Sequence, residues 1–216
     1  MKLVVVSAGL GVPSSTRLLA DRLAAATAER TPAEVQVVEV RDLAVEIAHT
    51  FTNGFPGRNL SAAFESVAAA DGLIVVTPVF SASYSGLFKS FFDALSVTDA
   101  DALAGKPVLM GATGGTARHS LVLEHAMRPL FAYLKAVVVP TGVYAASEDW
   151  GAGGLDGRIE RAAGELAALT ARLSTAAEPG VERGGKPGVE RGGRPGADAD
   201  EIVPFEERLA ALRPAG

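Results

Sequence analysis

Lys2-Leu3-Val4-Val5-Val6-Ser7, Ala8-Gly9-Leu10-Gly11-Val12-Pro13 and Ser14-Ser15-Thr16-Arg17 follow one another without a break, and the fold is decided there. The first six residues are a short β-branched apolar run, the pattern of a strand buried on both faces. Two glycines and a proline interrupt it. Three hydroxyl residues then open a long helical pattern from Leu18 to Ala28. A strand, a Gly-rich turn and a helix start together form an anion site, because the first helical N–H groups have no intrahelical partner and the helix dipole favours negative charge there. Ser14, Ser15 and Thr16 add hydroxyl donors, and Arg17 adds a charge. The simpler reading is an ordinary N-cap, which serine and threonine provide with no ligand present. The stretch is neither G-x-G-x-x-G, since Ser14 stands where a third glycine would, nor a Walker loop, since no Gly-Lys-Ser/Thr follows.

Working outward, a helix is predicted over Ser14–Glu29, with Leu18, Leu19, Leu23 and Ala26 inward, and a second strand over Val35–Val40. Strand, helix and strand form a βαβ unit with a parallel pair. Arg41 to Leu60 reads as a long connection, with turn signals at Asn53-Gly54 and Phe55-Pro56-Gly57. Further strands are expected at Leu73–Thr77, Val108–Ala112 and Val137–Pro140, and helices at Ser61–Ala70, Ser85–Leu95, His119–Leu134 and Leu155–Ser174. Five buried strands alternating with helices imply a doubly wound α/β sheet. Ligands in such sheets bind outside the strand carboxyl ends, where strand order reverses. Three turns rich in Gly, Ser, Thr or Pro fall at such ends: Ser7 to Thr16, Thr77 to Ser85 and Ala112 to Arg118.

The organisation expected is a globular domain over residues 1–177, a Pro/Gly linker over 178–200 and a docking segment over 201–216. Pro179-Gly180-Val181-Glu182-Arg183-Gly184-Gly185-Lys186 repeats almost unchanged at Pro187–Arg194, a composition too poor in apolar surface to order itself. Phe205, Leu209 and Leu212 then share a helical face, suited to docking on the domain or on a second subunit.

With 48% hydrophobic and 21% charged residues the composition is that of a globular protein. A net charge of −5 implies no basic face for nucleic acid. The absence of cysteine excludes thiol nucleophiles, disulfides and cysteine-held iron–sulfur clusters. No secretory leader and no apolar run of about twenty residues is visible, so the expected setting is the cytoplasm, with no membrane partner. His119 and His125 lie six apart, which is not one helical face, and His49 is isolated, so no metal site is expected. The acids show no paired-carboxylate spacing, and G-x-S-x-G is absent.

The second turn, Thr77-Pro78-Val79-Phe80-Ser81-Ala82-Ser83-Tyr84, offers aromatics and hydroxyls, although simple packing explains Phe80 or Tyr84 taken singly. In the third, Thr113-Gly114-Gly115, the glycines let backbone approach a flat ring. A phosphate cradle beside two such loops suits a phosphorylated planar cofactor. Flavin mononucleotide (FMN) fits better than ATP, since neither a P-loop lysine nor acidic magnesium ligands accompany the first turn.

These residues resemble the flavodoxin-like NADPH-dependent FMN reductases over about Lys2 to Arg172. The likeness rests on the first turn, on Pro78-Val79-Phe80 with Ser85-Gly86-Leu87-Phe88-Lys89-Ser90-Phe91-Phe92-Asp93, and on Gly111-Ala112-Thr113-Gly114-Gly115 with Arg128-Pro129-Leu130 and Val137–Pro140 behind it. The first turn and the tail Val203-Pro204-Phe205-Glu206 look like an actinobacterial branch that accompanies luciferase-like monooxygenases. The resemblance implies a flavodoxin-like sheet of order 2-1-3-4-5. It implies FMN as cofactor and NADPH or NADH as co-substrate, a homodimer or homotetramer, and delivery of reduced flavin to a monooxygenase. It assigns Ser14, Ser15 and Thr16 to the FMN phosphate with Ser7 at its border, Pro78, Val79, Phe80 and Ser81 to the ribityl chain and ring, and Thr113, Gly114 and Gly115 to the ring edge. No catalytic side chain is implied, because hydride passes from nicotinamide to flavin. Gly9 and Gly11 stand where many members carry Ser and Arg, Phe80 replaces a common Tyr and Ser85 a common Pro. The missing Arg points to FMN as an exchanging substrate. A quinone or azo reductase with retained FMN, and a one-electron carrier, are the alternatives on the same scaffold.

Overall fold

The computed structural model describes residues 1–176. The Pro/Gly repeat and the apolar tail lie outside the described residues. Strand β1, Lys2–Ser7, has β2, Glu34–Glu39, on one side and β3, Gly72–Phe80, on the other, both parallel. β3 also pairs in parallel with β5, Pro107–Gly114, and forms an antiparallel hairpin with the two-residue β4, Ser83–Tyr84. Side chains alternate across β1: Leu3 and Val5 enter one core, Val4 and Val6 the other. A strand buried on both faces needs apolar residues at every position, which is why its signal was continuous.

The order is the expected flavodoxin-like one, β2-β1-β3-β5 followed by a fifth position. That position is divided. Its first piece, β6, is Val137–Val138, beside Pro107–Val108; the second, β7, is Val143–Ala146, beside Gly111–Gly114. The strand expected to run through Pro140 therefore stops short, because proline has no N–H for the ladder. Side chains complete the break. Arg128 donates to the carbonyls of Val139 and Pro140 at 3.1 and 3.0 Å, and Glu165 accepts from the Thr141 amide at 2.7 Å and its hydroxyl at 2.8 Å.

Helix α1 is Ser15–Ala28, with Ser14 as its N-cap. It lies beside the long α6, Gly154–Ala176, on one face of the sheet, where Leu19, Ala20, Leu23, Ala162, Ala163 and Leu166 are buried. Leu18, expected inward, is 49% exposed. On the other face are α2, Ala44–Asn53, α3, Arg58–Ala68, α4, Gly86–Thr98, and α5, Arg128–Tyr133. α2 occupies the stretch read as a connection. Ala44, Ile47, Ala48 and Phe51 stand at helical spacing, but the helix is only ten residues long, buries only Ile47 and Thr50 and leaves Val45 and Phe51 exposed. Its Glu46 accepts from the Leu60 amide at 2.8 Å and from Asn59 at 2.7 Å, satisfying the start of α3 from outside that helix. The single helix expected over His119–Leu134 is three pieces: a 3₁₀ turn at Ala117–His119, a π-turn at Leu123–Met127 and α5. Pro129, near the start of α5, cannot donate to the preceding turn. No helix among the described residues is long and apolar enough to cross a membrane.

Candidate functional site

Because β1, β3 and β5 are neighbours and run in parallel, the three turns predicted from the sequence leave the same edge of the sheet side by side. β1 and β3 straddle the point where the winding reverses, the usual crevice in such sheets.

The first turn is tight. Gly9 is buried, and a Cβ there would stand 2.1 Å from Ser14 Oγ and 3.3 Å from Thr16 Cβ. Only glycine lets the loop backbone lie against the hydroxyl residues. Ser14 Oγ accepts from the Arg17 amide at 3.2 Å, so the N-cap is real. That bond uses one lone pair and leaves the Ser14 O–H free to donate elsewhere. The Ser15 and Thr16 amides have no partner among the described residues. Ser7, at the end of β1, is fully buried, and its Oγ has no hydrogen-bond partner. Native structures rarely leave a buried hydroxyl unpaired without a missing ligand or water. Free amides, an available hydroxyl and a buried orphan hydroxyl match what a phosphate group requires.

The turns are also tied to one another. Thr16 Oγ1 and Thr113 Oγ1, both buried, lie 2.7 Å apart, joining the start of α1 to the end of β5 across 97 residues of sequence. One hydroxyl proton serves that bond and the other is available. In the third turn, a Cβ at Gly114 would stand 2.2 Å from Tyr144 Oη. Tyr144 donates that hydroxyl to the Thr116 carbonyl at 2.7 Å, fastening the turn to β7. Burial, and to a lesser degree Asp149, raises the Tyr144 pKa and keeps the donor protonated. Gly115 is exposed, and a Cβ there would meet open space.

In the second turn, Thr77 Oγ1 accepts from the Ser85 amide and donates to the Pro78 carbonyl, both at 3.0 Å, which braces the base of the β3–β4 hairpin. Ser85 Oγ then caps α4 through the Phe88 amide at 3.1 Å. The hairpin closes through Ser81 at φ 49° and Ala82 at φ 64°. Two successive positive φ values fit the primed turns that join two-residue hairpins, but neither residue is glycine, so the tip is strained. Such strain concentrates at ligand clamps. Tyr84 packs against Phe88 at 5.9 Å between ring centroids. Phe80 is 48% exposed beside the strained tip, so packing does not account for it.

All the residues expected at the site thus lie on one edge. Ser7, Thr16 and Thr113 are buried, Ser14, Pro78, Val79 and Gly114 half-buried, and Ser15, Phe80, Ser81 and Gly115 exposed. One expectation is corrected. Arg17 does not serve the cradle: Nε binds Asp21 at 2.7 Å and Nη1 binds Glu39 at 2.5 Å. Those hydrogen bonds, Asp21 first, raise its pKa. Thr77 and Tyr144 were missed. Neither carries a motif, and each acts through a partner 8 or 28 residues away. His49, His119 and His125 are all exposed, and no cluster of three or more potential metal ligands occurs among the described residues.

A family model for NADPH-dependent FMN reductases matches residues 1–151. The chain is 40% identical over 149 residues to an FMN reductase (NADPH) of Pseudomonas aeruginosa, covering 69% of this chain and 78% of that protein. It is 35% identical over 181 residues to an NADH-dependent FMN reductase of Pseudomonas putida, covering 84% and 91%. Among solved structures, an oxidoreductase from Corynebacterium diphtheriae superposes with a TM-score of 0.76 at 46% identity, covering 79% of this chain and 97% of that one. With the fold, the cradle and these likenesses in agreement, the chain belongs to the NADPH-dependent FMN reductase family.

Proposed function

We propose that the protein is an NAD(P)H-dependent FMN reductase whose flavin lies along the shared edge of β1, β3 and β5. Ser14, Ser15 and Thr16, with their amides, hold the flavin phosphate, and Ser7 supplies its buried hydroxyl beneath. Pro78, Val79, Phe80 and Ser81 line the ribityl chain and ring, and Thr113, Gly114 and Gly115 meet the ring edge. The observation that carries the reading is the buried Thr16–Thr113 bond beside the orphan Ser7 Oγ, which couples two of the three turns around unspent donors.

Bound FMN supplies a two-electron acceptor for hydride from a reduced nicotinamide. The protein's own part is positional. The cradle fixes the phosphate end, the Tyr144 latch keeps the third turn in place, and the Thr77 brace holds the hairpin that carries Phe80. Alignment of donor and acceptor needs no side-chain acid or base. The same reading takes the cytoplasm, where reduced nicotinamide is available, as the setting and a flavin-dependent monooxygenase as the consumer of reduced FMN. Assembly into a homodimer or homotetramer belongs to the same reading. Leu121 and Tyr133, 61% and 82% exposed, support it by leaving apolar surface to cover.

The test is a fluorescence titration of the protein with FMN, repeated on the double variant Ser14→Ala/Thr16→Ala after a melt has shown that it folds. Losing two charge-assisted hydrogen bonds should weaken FMN binding by at least about tenfold. Unchanged affinity would place the ligand elsewhere.

A further inference from the structure

One cation does reach the first turn, and it comes from a different strand. Arg41 follows β2, in the short 3₁₀ turn Val40–Leu43, and its Nη1 donates to the Gly11 carbonyl at 3.0 Å. Gly11 lies within the Gly9–Pro13 loop, three residues before the N-cap. The Gly11–Val12 peptide is trans, so its C=O and N–H point in opposite directions. Holding the carbonyl therefore also fixes the direction of the Val12 N–H. Glycine at this position lets the loop pass close to its own chain, since a Cβ would stand 3.2 Å from the Pro13 carbonyl.

Charge favours the same assignment. Arg17 faces two carboxylates at 2.7 and 2.5 Å, and that cluster carries a net negative charge. Among the described residues, the carboxylate paired with Arg41 is that of its neighbour Asp42, at 3.4 Å through Nε, and Asp42 is 69% exposed, so solvent screens the pair. The Arg41 side chain is 29% exposed, and its Nη2 has no partner among the described residues. A guanidinium in this state has donors and positive charge to offer a phosphate monoester.

We infer that Arg41, rather than Arg17, is the cation of the phosphate cradle, a positioning residue that fixes the Gly11–Val12 peptide and sets the preference for a phosphorylated flavin over an unphosphorylated one. The inference rests on the flavin reading above. Phosphate could also arrive as the 2′-phosphate of NADPH. The contact of Arg41 with the Gly11 carbonyl of the cradle loop favours the flavin phosphate, and the nicotinamide phosphate is an outcome of the test.

FMN and riboflavin differ by the phosphate alone, so the ratio of their dissociation constants isolates it. Both are measured by flavin fluorescence without nicotinamide, for the wild type, Arg41→Ala, Arg41→Lys and Arg17→Ala. The expected result is that Arg41→Ala weakens FMN by about tenfold and leaves riboflavin unchanged, Arg41→Lys recovers most of the loss, and Arg17→Ala keeps the wild-type ratio. An unchanged ratio in Arg41→Ala overturns the inference, including the case where only the NADPH-to-NADH KM ratio moves. An equal loss of both flavins overturns it as well, since that marks a merely structural arginine. A wild type that cannot tell FMN from riboflavin overturns the cradle reading itself, whereas a selective wild type with an equally selective Arg41→Ala variant overturns only the role of Arg41.

Discussion

The two layers flanking the sheet are built from different materials. Under α3, α4 and α5 lies a block of rings: Phe64, Phe88, Phe91, Phe92 and Phe131, all buried. Phe92 sits at its centre, edge-on to Phe88 at 4.9 Å, to Phe131 at 5.0 Å and to Phe91 at 5.2 Å. Under α1 and α6 the filling is small, with Ala20, Ala24, Ala162 and Ala163 among leucines and valines, and the helices are joined at their rims by the pairs Arg22–Asp156 and Arg30–Glu160. Rings bury much area per residue and dominate stability. Alanines let two helices lie close and so fix where a helix end sits. α1 carries the cradle, and it belongs to the closely set layer. The difference teaches a division of labour, in which the aromatic layer holds the protein together and the alanine layer places the site.

Three changes test that division, in descending order of effect. Phe92→Ala should cost about 3–5 kcal/mol in chemical denaturation, since it empties the centre of the ring block. FMN affinity of the folded fraction should hardly change; a large affinity loss would mean that the aromatic layer also places the site. Ala163→Leu overpacks the other layer and should cost about 1–3 kcal/mol. Here the flavin titration should weaken together with the melting temperature, because pushing on α6 displaces α1. Retained affinity would break the comparison. The smallest effect is expected from Asp149→Asn, which belongs to neither core and meets α6 at its rim through Arg158. The Ala146 amide, and secondarily Arg158, holds the Asp149 carboxyl below its usual pKa. A depressed folded-state pKa contributes stability that is present above the unfolded value, about 3.9, and is lost as pH falls through the lower folded value. The stability gap between wild type and variant should therefore be constant above about pH 5 and shrink below about pH 4. A gap independent of pH would assign the effect to packing.

Much of this was legible because the deciding signals were short in range. The continuous run at Leu3–Val6, the cap at Ser14 and the phenylalanines of α4 each announce themselves within one element. What was missed depended on distant partners. Helix α2 is ten residues long with turn signals directly behind it, only Ile47 and Thr50 of it are buried, and the start of α3 is satisfied by Glu46 rather than by its own residues. The fifth strand was assigned to Val137–Pro140, but its longer piece is β7, made possible by Arg128 and Glu165 answering the backbone groups that Pro140 and Thr141 leave open.

The sequence by itself determined the doubly wound sheet, its three glycine- and hydroxyl-rich turns and their place at the strand carboxyl ends, because period, turn chemistry and capping act over a few residues. Only the tertiary structure decided which charges and hydroxyls meet. Glu39 lies 22 residues from Arg17, Gly11 lies 30 from Arg41, and Thr113 lies 97 from Thr16. A guanidinium or a hydroxyl takes whichever partner folding brings within about 3 Å, and nothing local in the chain encodes that choice.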